Sequence, residues 1–420
     1  MELKEYCRIL CVGWLPCPSQ QHVISQPKLM KSLITASRPK VGLILTLLSI
    51  SISGCSKRPT EASNAVENVE GASALTLYSW DEYFSLDLLK EFEAKFGVSV
   101  NYQKYENTDE VFQNLKSDGA AYDVIVLDDA SMKRAKALRL LRPLDHGKVP
   151  NVKNIDPGFR AGATYDKEFR YSVPYMWGTT LIAYRKDVVN DISKSWKVLF
   201  SPQFQGRVSL LDERMECFAA ALRVLGYDMN SNVPSELDAA TEMLIDLVGE
   251  GKAKLGSDNE MKRHLIDGES HIAMMYSGDA ALIAEDSEDI GFFIPEEGAT
   301  RWTDSFAISR DSRSVDLAHE FINFMADARI AAESSNELWY ATPNLAALNH
   351  PALNAELKAD TTIYPEDVVV QKCTFLEEVD DYRVRSLNKG WDRVKSEVSG
   401  SSVSDEIGSN VVDAGDGDGE

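Results

Sequence analysis

The six residues Tyr122–Leu127, YDVIVL, end in four consecutive aliphatic side chains with no polar alternation. A strand apolar on both faces has to be covered on both faces, as strands are in a parallel sheet flanked by helices. The neighbouring sequence predicts such a setting. Ala74–Tyr78 reads as a short strand, and Leu88, Leu89, Phe92 and Phe96 form a helical stripe closed by Gly97. Val98–Tyr102 returns to strand alternation, and Asn107 with Glu110 makes a capping-box-like start for a helix through Lys116. The pattern resumes with strands at 208–211, 271–275 and 305–308 and helices at 215–225, 236–248 and 315–325. Strands alternating with helices of this length define an α/β fold class. At 420 residues the chain exceeds one ordinary core, so two domains are expected.

The N-terminal region has a different character. Val41–Ile52, VGLILTLLSISI, is apolar but short for a bilayer span, and Lys31, Arg38 and Lys40 precede it. A basic stretch before an apolar run of this length has the form of a secretory signal. The run ends Ile52-Ser53-Gly54-Cys55, which resembles the bacterial lipobox. That resemblance implies cleavage before Cys55 and lipid attachment to its thiol; two or more acyl chains give a stable membrane anchor. Met30 is the expected start, since a signal beginning there has ordinary length. Residues 1–54 are thus assigned to the signal region and 55–73 to the anchor and a polar tether. The segment 397–420, mostly Gly, Ser, Asp and Glu, is expected to be an acidic disordered tail.

The formal charge of −22 narrows the partners. An acidic surface repels nucleic acid and attracts cationic solutes, although acidity also simply favours solubility. Residues 1–54 hold six basic and two acidic side chains, so a chain starting at Cys55 carries −26. Cys7, Cys11 and Cys17 precede the apolar run, which leaves only Cys217 and Cys373 in the body. Those two either form a disulfide in an oxidising compartment or remain free buried thiols. No P-loop, GxSxG or HExxH occurs and no histidines stand at a ligand spacing, so no catalytic residue, metal or cofactor is expected.

Seven segments, in order, carry a resemblance. They are Tyr78–Tyr83 (YSWDEY), Tyr122–Val126 (YDVIV), Val173–Thr180 (VPYMWGTT), Leu211–Glu216 (LDERME), Tyr276–Asp279 (YSGD), Trp302–Ala307 (WTDSFA) and Tyr340–Asn344 (YATPN). Together they resemble the periplasmic spermidine/putrescine-binding proteins of bacterial ABC importers, over about 74–395. The resemblance implies a two-lobed periplasmic binding protein with the ligand cleft between the lobes. Lobe I would hold 74–178 and 303–348, and lobe II 179–302 and 349–396. It also implies ligand contacts from the aromatics Trp80, Tyr83, Tyr276, Trp302 and Tyr340 and the acids Glu213, Glu216, Asp279 and Asp304. Asp128 stands where the family usually has a hydroxyl residue, so a carboxylate is gained there. Tyr276 replaces the usual Trp, and the mixture of acids leaves the ligand's length open.

The residue types suit that chemistry independently. A polyamine needs aromatic walls for its methylenes and ammonium groups, each contact contributing about 0.5–2 kcal/mol. It also needs carboxylates, because a desolvated ammonium without a partner is very costly. Taken singly, each aromatic fits ordinary core packing and each acid a solvated surface or a helix N-terminus. The expected function is a lipid-anchored extracytoplasmic receptor that passes putrescine or spermidine to ABC permease subunits and catalyses nothing. Two other readings use the same residues: a polyamine sensor that reports to a membrane signalling partner, and a receptor for another cationic ligand on the same fold.

Overall fold

The computed structural model describes residues 74–105, 108–116, 122–159, 166–377 and 380–408. The signal region, Cys55, the tether, Asn107 and the last twelve residues of the tail lie outside the described residues. The first half of the chain runs β1 (Ala74–Trp80), α1 (Leu86–Phe96), β2 (Ser99–Tyr105), α2 (Thr108–Lys116), β3 (Val124–Leu127), α3 (Asp129–Ala137), β4 (Leu141–Arg142) and β5 (Ser172–Arg185). There follow β6 (Val208–Leu211), α4 (Arg214–Val224), α5 (Pro234–Val248), β7 (Ala253–Gly256), α6 (Asp258–Ile266), β8 (Ile272–Tyr276), α7 (Ser277–Asp286) and β9 (Ile290–Phe293). Next are β10 (Thr300–Ser309), α8 (Val315–Met325), α9 (Ala328–Leu338) and α10 (Leu345–Leu348). The last elements are α11 (Ala355–Ala359), α12 (Asp367–Val370), β11 (Thr374–Phe375) and α13 (Asp381–Gly408).

The strands join in the order β2-β1-β3-β10-β5-β8-β6-β7. β1 pairs in parallel with β2 and β3, and β6 in parallel with β7 and β8. Each group is one lobe's sheet. Side chains of β3 alternate as strand geometry demands: Val124 and Val126 enter one core with Leu75, Leu77 and Phe306, and Ile125 and Leu127 enter another with Tyr78 and Ala307. The two-sided burial expected of YDVIVL is therefore present. The second lobe closes around Leu210, Phe218, Leu244, Met274 and Trp391.

Two long strands tie the lobes together. β5 gives Ser172–Thr179 to β10 and Thr180–Arg185 to β8 and β9. Because both lobes cover it, β5 is buried from Ser172 to Ala183, a 14-residue strand with no polar face. β10 runs back across the same boundary, and its register with β5 jumps between Asp304 and Ser305, which leaves Tyr175 as the extra residue. A bulge of this kind bends a strand and re-aims its side chains, here beside Asp304.

Local signals explain the helix ends. The Ser85 side chain accepts from the Leu88 amide at the start of α1, and Gly97 closes it in the left-handed conformation with φ 68°. Ser257 and Glu260 form a full capping box on α6.

Two expectations need correction. The tail was expected to lose order after 396, but α13 runs to Gly408. Its apolar stripe Leu387, Trp391 and Val394 continues to Val398, which also packs on the second core. The stretch after 349, expected in lobe II, lies along α9: Leu353, Leu357 and Ile363 pack with Ala331, Ala332, Trp177 and Ala341, in a cluster that also takes in Ala281 of α7, and Asn336 bonds both Ala352 and Asn354. Of the two alternatives left open for Cys217 and Cys373, the structure has free thiols, the first fully buried and the second half-buried.

Candidate ligand cleft

Ligands in open α/β sheets bind beyond the carboxyl ends of the strands, and those ends gather the expected residues. Trp80 ends β1 and Tyr83 follows it; Asp128 follows β3, Glu213 and Glu216 follow β6, and Asp279 follows β8. Tyr276 ends β8, Trp302 and Asp304 lie on the crossing strand β10, and Tyr340 follows α9.

Five aromatic rings form a continuous file. Ring centroids are 5.6 Å apart for Trp80–Tyr83, 5.9 Å for Tyr83–Tyr340, 5.2 Å for Tyr340–Trp302 and 5.7 Å for Trp302–Tyr276. Successive rings meet edge to face, the arrangement preferred by their quadrupoles. Tyr175 adds a further edge-to-face ring behind Tyr83. Gly178 is required here by space alone: a Cβ there would stand 2.6 Å from Trp302 Cζ2 and 2.7 Å from Ser277 Oγ. The Trp302 Nε1 donor is buried and has no hydrogen-bond partner among the described residues.

Carboxyl groups flank the file. Tyr83 donates to Asp304 Oδ2 at 2.5 Å, and Tyr340 donates to Asp279 Oδ2 at 2.7 Å. Glu216 Oε2 accepts from Thr300 Oγ1 at 2.6 Å. Glu213 is the N-terminal flanking residue of α4, yet its side chain makes no capping bond. Burial pushes the Asp304 carboxyl well above the carboxylate range, an effect the Tyr83 hydrogen bond opposes and Asp128 and Asp129 reinforce. Burial, then repulsion from Asp128 and Glu216, raises Glu213 to about 8. Burial raises Glu216 to about 7, although the Thr300 bond works against it. These are carboxyl groups short of positive charge.

Asp128 has a structural part as well. Its oxygens accept from the Ser131 amide at 3.0 Å and hydroxyl at 2.6 Å, so it caps α3. It therefore contributes charge to the cleft while its lone pairs serve the helix. Sequence reasoning missed Thr300, Tyr175 and, above all, Lys262. The Lys262 ammonium lies 3.2 Å from Asp279 Oδ1 and 3.7 Å from Glu82 Oε2. Nothing in DNEMKRHLI distinguishes Lys262 from its basic neighbours Arg263 and His264.

Among the described residues no group of His, Cys, Asp and Glu is arranged to hold a metal ion. No helix among them is long and apolar enough to cross a membrane.

The fold and cleft define a two-lobed solute receptor, and sequence comparison agrees: the chain belongs to the bacterial extracellular solute-binding proteins, whose family model matches residues 87–363. Within that class it is similar to the spermidine/putrescine-binding periplasmic protein of Escherichia coli (strain K12). The two are 33% identical over 297 residues, covering 70% of this chain and 84% of that one. Solved structures repeat the likeness. One from Listeria monocytogenes, described as a spermidine/putrescine ABC transporter, superposes with a TM-score of 0.73 at 31% identity, over 77% of this chain and 99% of that one. A lipoprotein of Treponema pallidum superposes with a TM-score of 0.67 at 28% identity, over 76% of this chain and 99% of that one.

Proposed function

We propose that this chain is the extracytoplasmic binding component of an ABC importer for polyamines, and that it performs no catalysis. The observation that carries the reading is the file of five rings flanked by Asp304, Glu213 and Glu216, three carboxyl groups raised by burial and by repulsion from Asp128. A ligand bringing ammonium groups on a methylene chain supplies what this environment lacks. Its methylenes would lie against the rings of Trp80, Tyr83 and Trp302, and its ammonium groups would ionise and pair with the carboxyls. The relatives from Escherichia coli and Listeria monocytogenes, named for spermidine and putrescine, support this choice of ligand.

The lobes would close about the strands β5 and β10 as ligand binds, and the closed form would dock on the permease. Anchorage through Cys55 is part of the proposal; the lipobox-like Ile52–Cys55 and the similarity to a treponemal lipoprotein support it. Replacing Cys55 with Ser should release the protein from the membrane fraction, and retention there would remove the anchor from the reading. The main test is calorimetric titration with putrescine, cadaverine, spermidine, norspermidine and spermine. Saturable binding of at least one is expected; no heat with any of them would leave the fold without this ligand.

A further inference from the structure

The turn that carries the first two rings of the file is held by a side chain from another strand. Trp80 ends β1, Asp81 and Glu82 form the turn, and Tyr83 follows it. Glu82 has a left-handed backbone, φ 52°, which costs a non-glycine residue about 1–3 kcal/mol and persists only where the surroundings over-determine it. β2 supplies two such constraints, from Tyr102 and Lys104, which lie two residues apart and so share a face of the strand. The Tyr102 hydroxyl accepts from the Tyr83 amide at 3.2 Å and donates to the Trp80 carbonyl, so one oxygen holds both ends of the turn. Lys104 pairs with Asp81, whose carboxylate also accepts from the Glu82 amide at 2.7 Å. That ion pair is exposed and adds little, which leaves the half-buried Tyr102 as the principal hold. The Tyr102 ring itself is kept in place by an edge-to-face contact with Phe84 at 5.5 Å.

Resting on the polyamine reading above, we propose that Tyr102 is a positioning residue for the ligand: by fixing the turn between Trp80 and Tyr83 it aims the Tyr83 hydroxyl at Asp304. Tyr83 is then held at three atoms. Its amide donates to Tyr102, its carbonyl accepts from the Tyr175 hydroxyl at 3.3 Å, and its own hydroxyl donates to Asp304 at 2.5 Å. Of these partners Tyr102 is the one that also bonds Trp80, so it sets the two rings, 5.6 Å apart, as a unit. Hydrogen bonds weaken steeply as their alignment is lost, so a turn free to shift would loosen the grip of Tyr83 on Asp304. Burial raises the Tyr102 hydroxyl above the ordinary tyrosine range; the Tyr83 amide opposes this, and the Asp81 and Glu82 carboxylates add to it. The hydroxyl therefore keeps the proton that it donates to Trp80.

The test uses the full chain. Tyr102→Phe removes only the hydroxyl and keeps the ring against Phe84, so the variant should fold. Calorimetry with the polyamine that binds the unaltered chain should show affinity lower by about tenfold. Made in a chain already carrying Tyr83→Phe, the same change should cost less than about threefold, because the hydroxyl it aims is gone. A merely structural defect would cost the same in both chains. Equal losses in the two backgrounds, or no loss in either, overturn the proposal. A second readout needs no polyamine: the fluorescence lost on Trp80→Phe, measured with and without Tyr102→Phe, isolates the Trp80 signal. Quenching of that signal by acrylamide should rise once the turn is released. Unchanged quenching means that Tyr102 does not hold the turn, and the proposal falls whatever the titrations give. If quenching rises while no polyamine binds any chain, the hold on the turn stands and the polyamine reading fails.

Discussion

The Tyr83 hydroxyl donates a 2.5 Å hydrogen bond to Asp304 across 221 residues of sequence, joining the turn after β1 to the bulged crossing strand β10. Both groups are buried, and burial holds the carboxyl well above its ordinary range, so without a cation its charged form is disfavoured. This sets the sign of the first prediction. Asp304→Asn is nearly isosteric with the neutral acid, so the free protein should keep its Tm or gain slightly. Binding should suffer, because the variant cannot ionise to meet an ammonium. A loss of about tenfold or more is expected by calorimetry, corresponding to about 1.4 kcal/mol or more. Unchanged affinity would take Asp304 out of the site.

The second prediction concerns pH. Glu213 at about 8 and Glu216 at about 7 are both raised above ordinary glutamate. The folded chain thus holds protons that the unfolded chain has already released, and stability falls as pH rises where the native state binds more protons. Their contribution favours the fold most fully below the ordinary glutamate range and is lost as pH climbs through about 7 and about 8. Ligand ammonium groups favour the ionised acids, so affinity should rise over the same interval and binding should release protons. Titrations in two buffers of different ionisation enthalpy measure the release directly. A pH-independent affinity from 6 to 8.5, with no buffer dependence, would contradict the placement of ligand charge at these glutamates.

Gly178 supplies the third. Alanine there drives a methyl to 2.6 Å from the Trp302 ring and 2.7 Å from Ser277 Oγ, inside a fully covered strand. Overpacking of this kind typically costs about 1–3 kcal/mol. Gly178→Ala should lower the Tm accordingly and weaken polyamine binding more than it lowers stability, because the displaced ring belongs to the file. Fluorescence of Trp302 in the presence and absence of ligand would follow the displacement, and an unperturbed signal with normal binding would refute it.

The fourth lies at the strand crossing. The Arg301 guanidinium is 5.0 Å from the Trp177 ring, 5.4 Å from Phe159 and 4.9 Å from Phe375. These rings come from three separate passes of the chain through the junction. Arg301→Ala should destabilise by about 2 kcal/mol, and Arg301→Lys should restore only part of that, since an ammonium lacks the planar face that stacks. Equal Tm values for all three proteins would show the stacking to be inert.

Local structure was readable wherever a short-range rule decided it. The unalternating YDVIVL run required cover on both sides, and β3 has it from two cores. Gly97 ended α1 because only a residue tolerant of positive φ closes a helix in that way. The helix 315–325 was legible from an apolar stripe that packs entirely inward. Assignments that depended on distant partners fared worse. Residues 349–364 carry no mark of the lobe they join, since Leu353, Leu357 and Ile363 suit any apolar face, and α9 happens to be the one within reach. The low-complexity look of the chain after 396 hid Val398, whose burial depends on the second core.

The cleft divides in the same way. In the sequence, the seven family-like segments taken together, with their aromatic faces and carboxylates following strand ends, pointed to a linear cation. Tertiary structure alone decided what each acid meets. Asp128, Asp279 and Asp304 look alike in sequence, yet the first caps a helix, the second is paired with Lys262, and the third accepts from a tyrosine hydroxyl. The difference is Coulombic and steric. A carboxyl group's charge state depends on burial and on what lies within a few ångströms, and those neighbours are set by how two lobes fold together rather than by what adjoins it along the chain.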